Sequence, residues 1–206
     1  MTKENFDAYI DSHIDLITSI KEAAHLLHQN VNQTYDKIHP YGFHLDMVAD
    51  SVYKYGHFVC AEEGEIIPLF FGAYFHDSIE DARLTYNNVV DTASRYMSKE
   101  KAIMAAEIVY ALTNDKGRTR AERAGENYYK GIRETPYAPF VKLADRLANI
   151  TYSFTHGNDA NAHMKEVYMK ELPHFMEAIT TSNNDIRYQW PEEMVADLVR
   201  IVKGTN

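Results

Sequence analysis

The chain of 206 residues has a single cysteine, Cys60. It can therefore form no internal disulfide and no cysteine-based zinc site, which fits a reducing cytoplasm. Positive charge is scarce as well: 21 Lys and Arg face 30 Asp and Glu, for a formal net charge of −9. A general nucleic-acid or anionic-membrane binder needs a cationic field, so neither partner is expected. The longest apolar run, IIPLFFGAYF, is interrupted by Pro68 and falls far short of the ~18 residues of a spanning helix. The opening MTKENFDAYID is polar and acidic, without the apolar core of an export signal. Glycines such as Gly56, Gly64 and Gly72 are scattered, and no GxxxxGK phosphate loop exists. Alternating strand patterns of convincing length are missing too. These absences together leave a soluble, cytoplasmic, helical protein as the expectation.

What is present supports a packed core, because 45% of the residues are hydrophobic and the length suits one domain. Ile10, Ile14, Leu16, Ile17, Ile20, Ala24 and Leu27 recur every three to four residues, so an amphipathic helix is expected over about 5–29. Further helices are expected near 44–57, 65–77, 85–97, 99–112, 119–131, 137–154, 160–179 and 191–203. Thr85 and Ser98 suit N-caps and Pro191 a first helical turn. No linker, repeat or low-complexity segment divides the chain, which points to one all-α, multi-helix domain over residues 1–206. Aromatic content of 12%, with 15 Tyr, is read mainly as core and helix-helix packing.

Ionisable residues concentrate in four stretches: HPYGFHLDMVAD (39–50), YFHDSIEDA (74–82), LTNDKGRTRAERAGENYYKG (112–131) and VKLADRLANITY (141–152). If the turn continues past the apolar run, His76, Asp77 and Glu80 project from one face. Asp145 sits among Val141, Leu143, Ala144, Leu147, Ala148 and Ile150, where a carboxylate needs a partner. Taken singly these residues have simpler roles, such as a pairing of Asp145 with Arg146. Taken together, His44, His76, Asp77 and Asp145 form a mixed N/O set suited to Mn²⁺, Fe²⁺ or Zn²⁺. Between Lys116 and Arg146, eight basic residues (Lys116, Arg118, Arg120, Arg123, Lys130, Arg133, Lys142, Arg146) outnumber four acidic ones, an excess that could hold phosphate.

Those stretches resemble the HD-domain phosphohydrolases, and within them the alarmone hydrolases: the hydrolase domain of RelA/SpoT proteins and the small metazoan SpoT homologues. The resemblance runs from about Tyr35 to Tyr152 and is carried by Pro40-Tyr41 with His44 and Val48-Ala49, then FHDSIED, ALTNDKG, ERAGENYYKGI and VKLADRLANI. It implies an all-α HD bundle with His44, His76, Asp77 and Asp145 as metal ligands. It implies Glu80 and Asp81 as the acids that activate the attacking water, and Asn149 as a substrate contact. Lys37, Tyr41, Arg118, Lys142 and Tyr152 complete the expected substrate-binding set.

Departures from the family pattern cluster around the expected base or ribose pocket. Residues 35–37 read Tyr-Asp-Lys, leaving Lys37 as the only cation before the Pro-Tyr pair, and the stretch VCAEEGEII lengthens the loop between His44 and His76. Tyr152 replaces a usual Thr and Ala148 a usual His. The resemblance thus implies a metal-dependent hydrolase that removes the 3'-pyrophosphate of guanosine 3',5'-bis(diphosphate). Another phosphorylated nucleotide, a nucleoside monophosphate or NADPH, is the alternative substrate. A catalytically silent nucleotide-binding protein is the alternative class, and retention of Glu80 and Asp81 speaks against it. Residues 153–206 are too few for an added synthetase domain. Assembly into a homo-oligomer stays open.

Overall fold

In a computed structural model, residues 1–155 and 162–204 are described. Helix α1 spans Lys3–Ser12 and α2 Ile14–Asn30. A two-residue antiparallel pair follows, β1 (Thr34–Tyr35) with β2 (His39–Pro40), in the register Thr34 to Pro40 and Tyr35 to His39. Then come α3 (Gly42–Val59), a 3₁₀ turn (Glu63–Glu65), α4 (Ile66–Phe75), α5 (Tyr86–Ala93) and α6 (Lys99–Leu112). The chain continues through α7 (Arg120–Arg123), α8 (Glu126–Glu134), α9 (Ala138–Thr155) and α10 (Ala162–Ile179). A second 3₁₀ turn (Ile186–Tyr188) leads to α11 (Glu192–Lys203). The fold is an all-α bundle, as the sequence predicts. The expected start of the late helix at residue 160 lies outside the described residues.

Helix α4 is the hub. All ten of its residues are buried, and a helix apolar on every side must be packed on every side. Helices α2, α3, α6 and α9 surround it. Pro68 falls in its first turn, where a missing N–H costs little. Gly72 lets α6 come close: a Cβ there would meet Ile108 Cγ2 at 2.7 Å. Truncating a buried ring of this helix, as in Phe71→Ala, would cost about 3–5 kcal/mol.

Two expected helices are interrupted. The segment over 5–29 breaks at His13, whose N–H bonds back to Ile10 O and whose ring stacks on Tyr9 at 4.0 Å. The segment over 119–131 divides at Ala124-Gly125 into α7 and α8. Helix α4 also stops at Phe75, two residues before the expected end, and residues 76–81 form turns. The amide of Asp81 still bonds Asp77 O at 2.9 Å, so one helix-like turn carries the acids onward.

Candidate metal centre and its cavity

Packing around α4 brings three elements to one point. His44 lies in the first turn of α3, His76 and Asp77 directly follow α4, and Asp145 is midway along α9. His44 Nε2 is 3.3 Å from His76 Nε2 and 3.4 Å from Asp145 Oδ1. Asp77 Oδ2 stands 2.9 Å from His76 Nε2 and 3.8 Å from His44 Nε2. Among the described residues, His44, His76 and Asp145 each place one donor atom within 4.8 Å of the others, and Asp77 borders this trio without joining it. Neighbouring ligands of one first-row ion sit about 2.8–3.6 Å apart, so the two shorter approaches to His44 fit a shared cation and the Asp77 approach to His44 is slightly long.

The surroundings orient these donors. His76 Nδ1 donates to Ala73 O at 2.8 Å, which leaves Nε2 facing the cluster. Asn149 Nδ2 donates to Asp145 Oδ1 at 2.6 Å and its carbonyl accepts from the Tyr35 hydroxyl at 3.0 Å. The Tyr35 ring stacks on His44 with centroids 5.0 Å apart. Tyr41 donates its hydroxyl to Asp77, and its ring stacks on His28 at 4.6 Å. Lys142 Nζ lies 2.8 Å from Asp145 Oδ2.

Electrostatics at the cluster favour a cation. Burial opposes charge on Asp77 and Asp145, yet His76 beside the first and Lys142 beside the second hold both well below the usual carboxylate range. Burial likewise opposes charge on His76, but Asp77 and then Asp145 lift it to about 9. Lys142 answers the charge of Asp145, and the second carboxylate is balanced by a proton on His76 or by a metal ion. The donor set is chemically suited to a borderline divalent ion.

A cavity of about 340 Å³ opens beside the cluster. Of the residues expected from sequence, Tyr41, His44, Asp77, Glu80, Asp81, Lys142, Asp145 and Asn149 line it, while His76 is buried and does not line it. Glu80 Oε1 accepts from the Asn114 amide at 2.6 Å. Desolvation raises the carboxyls of Glu80 and Asp81, and Asp77 adds to both. A raised pKa makes each a stronger base.

Three expected substrate residues lie elsewhere. Lys37 is exposed in the turn between β1 and β2, and Arg118 precedes α7, where its amide bonds Glu122. Tyr152 is buried on α9, donates to Asp36 at 2.7 Å and packs edge-on against Tyr35, His39 and Phe43. Sequence reasoning missed Tyr35 and the α10 side chains Tyr168, Glu171 and Phe175, all of which line the cavity. Arg120, Arg123 and Arg146 also line it, and only the basic excess of their segment had signalled them. No protein-family model and no curated protein matches the chain.

Proposed function

We propose that the chain is a metal-dependent phosphohydrolase of HD type acting on a phosphorylated nucleotide, with the 3'-pyrophosphate of guanosine 3',5'-bis(diphosphate) as the leading substrate. One observation carries this reading: Glu80 and Asp81 line the same cavity as His44, Asp77 and Asp145, together with a set of basic side chains.

The lining supports anion binding once a cation is present. Four cationic side chains (Arg120, Arg123, Lys142, Arg146) meet five carboxylates (Asp77, Glu80, Asp81, Asp145, Glu171). His44, His76 and Asp145, with Asp77 beside them, would hold the ion. A bound Mn²⁺, Fe²⁺ or Zn²⁺ would make the lining net positive and supply a Lewis acid to the phosphoryl group.

The chain's own groups account for the rest. Glu80 and Asp81, with raised proton affinity, accept a proton from the attacking water. Glu80 is aimed for this by the Asn114 amide. Asn149, tied to Asp145, and the arginines orient the phosphate. A protein that only binds nucleotide would have no use for the two acids. Incubation with Mn²⁺ and a panel of guanosine 3',5'-bis(diphosphate), NADPH and nucleoside monophosphates, with products separated by chromatography, tests the reading. Release of phosphate or pyrophosphate from one of them is expected. An unchanged panel at high enzyme concentration would overturn it.

A further inference from the structure

A second charged group lies in the cavity besides the His-Asp cluster. Glu171, on α10, accepts from Arg120 through two bonds, Nε to Oε1 at 2.8 Å and Nη2 to Oε2 at 3.0 Å. Its Oε2 also accepts from Arg146 Nη1 at 3.0 Å. Arg146 is buried at 7% exposure, with its guanidinium 5.1 Å from the Tyr168 ring centre and 4.4 Å from that of Phe175. One carboxylate therefore answers two guanidiniums, and the group keeps one positive charge. Each guanidinium has five donors; Glu171 takes two from Arg120 and one from Arg146.

The triad is open to the cavity and to water, where an incoming anion can compete for its donors. Here the side chains of Arg120 and Glu171 are 49% and 33% exposed, and all three residues line the cavity. We propose that Arg120 and Arg146 form an anion subsite for a terminal phosphate monoester group of the ligand, and that Glu171 fills it until that phosphate displaces it. The match is one of geometry and charge: a phosphate offers the same paired oxygens as a carboxylate and carries more negative charge. The proposal rests on the reading of this cavity as a phosphate-handling site, and it adds a phosphate contact made by side chains that are not themselves candidate metal ligands.

The test is calorimetric titration of the full chain with inorganic phosphate in the presence of chelator, so that a metal centre contributes nothing. Glu171→Gln removes one like charge a few ångströms from the bound anion and should tighten phosphate binding about fivefold. Arg120→Gln should weaken it by at least a similar factor. Circular dichroism checks the fold of each variant. A folded Glu171→Gln chain that binds phosphate no tighter than wild type overturns the subsite, as does equal binding by Arg120→Gln. If Glu171→Gln does not fold, Arg120→Gln decides alone. Absence of hydrolysis alongside these binding shifts would overturn the proposed function and leave the subsite standing.

Discussion

Lys142 Nζ lies 2.8 Å from Asp145 Oδ2, three residues apart along α9, while the other carboxylate oxygen faces His44 and Asn149. The lysine expected to meet substrate phosphate thus first neutralises a candidate metal ligand. Lys142→Met should destabilise the chain by about 3 kcal/mol, because it strips the partner from a largely buried carboxylate. Urea denaturation measures this, and saturating Mn²⁺ should restore part of the loss. A loss insensitive to Mn²⁺ would separate Asp145 from metal binding.

His28 gives the acid limb of stability. Its ring is 1% exposed, neither ring nitrogen has a partner among the described residues, and burial pushes its pKa down to about 4. Asp77 pulls it upward, while His76, His44 and His25 lower it further. In the unfolded chain the imidazole titrates near the ordinary ~6.5. The folded value is the lower one, so the contribution is complete above about pH 6.5 and is lost as pH falls toward about 4, for a total of about 3 kcal/mol. His28→Phe keeps the stack on Tyr41 and should flatten this part of a urea-midpoint profile between pH 7 and 4. A parallel profile would show that His28 does not set the acid limb.

The four ligand candidates should not weigh equally. Asp145 joins the close trio with His44 and His76, whereas Asp77 borders it and accepts the Tyr41 hydroxyl. Asp145→Asn should weaken Mn²⁺ binding by about 100-fold or more, and Asp77→Asn by about 10-fold. Competition with a chelating dye reads both constants; the reverse order would reassign the ligands.

Of the basic residues, Arg118 lies off the cavity and Arg123 on it. Arg118→Ala should leave KM within about twofold, while Arg123→Ala should raise KM more than it lowers kcat. A large KM effect at Arg118 would mean that the loop before α7 folds over the substrate.

The fold class is legible in the sequence because helical periodicity and capping residues agree, as over α6, where both ends match expectation. The break at His13 is not, since Ile10 and Ile14 keep a spacing of four across it. The β1–β2 pair is too short to alternate. At the site, the residues brought together around α4 are those whose ionisable types stand out against apolar neighbours. Glu171 carries no such signal: it is one acid on a mixed helix, and only the packing of α10 against α8 and α9 brings it to Arg120 and Arg146. Lys37 and Tyr152 lie off the cavity for a related reason, because chain proximity to the Pro-Tyr stretch or to Asn149 does not set the direction of a side chain.

The most direct measurement is the hydrolysis rate of the best substrate after chelation and again after reloading with Mn²⁺, for wild type and Glu80→Gln. The wild-type rate should vanish with the metal and return with it. The Glu80→Gln chain should take up the same amount of metal yet turn over about 10²- to 10⁴-fold more slowly, the usual loss on removing a general base. A wild-type rate indifferent to chelation, or a Glu80→Gln chain as fast as wild type, would contradict a metal-dependent hydrolase that uses this carboxylate.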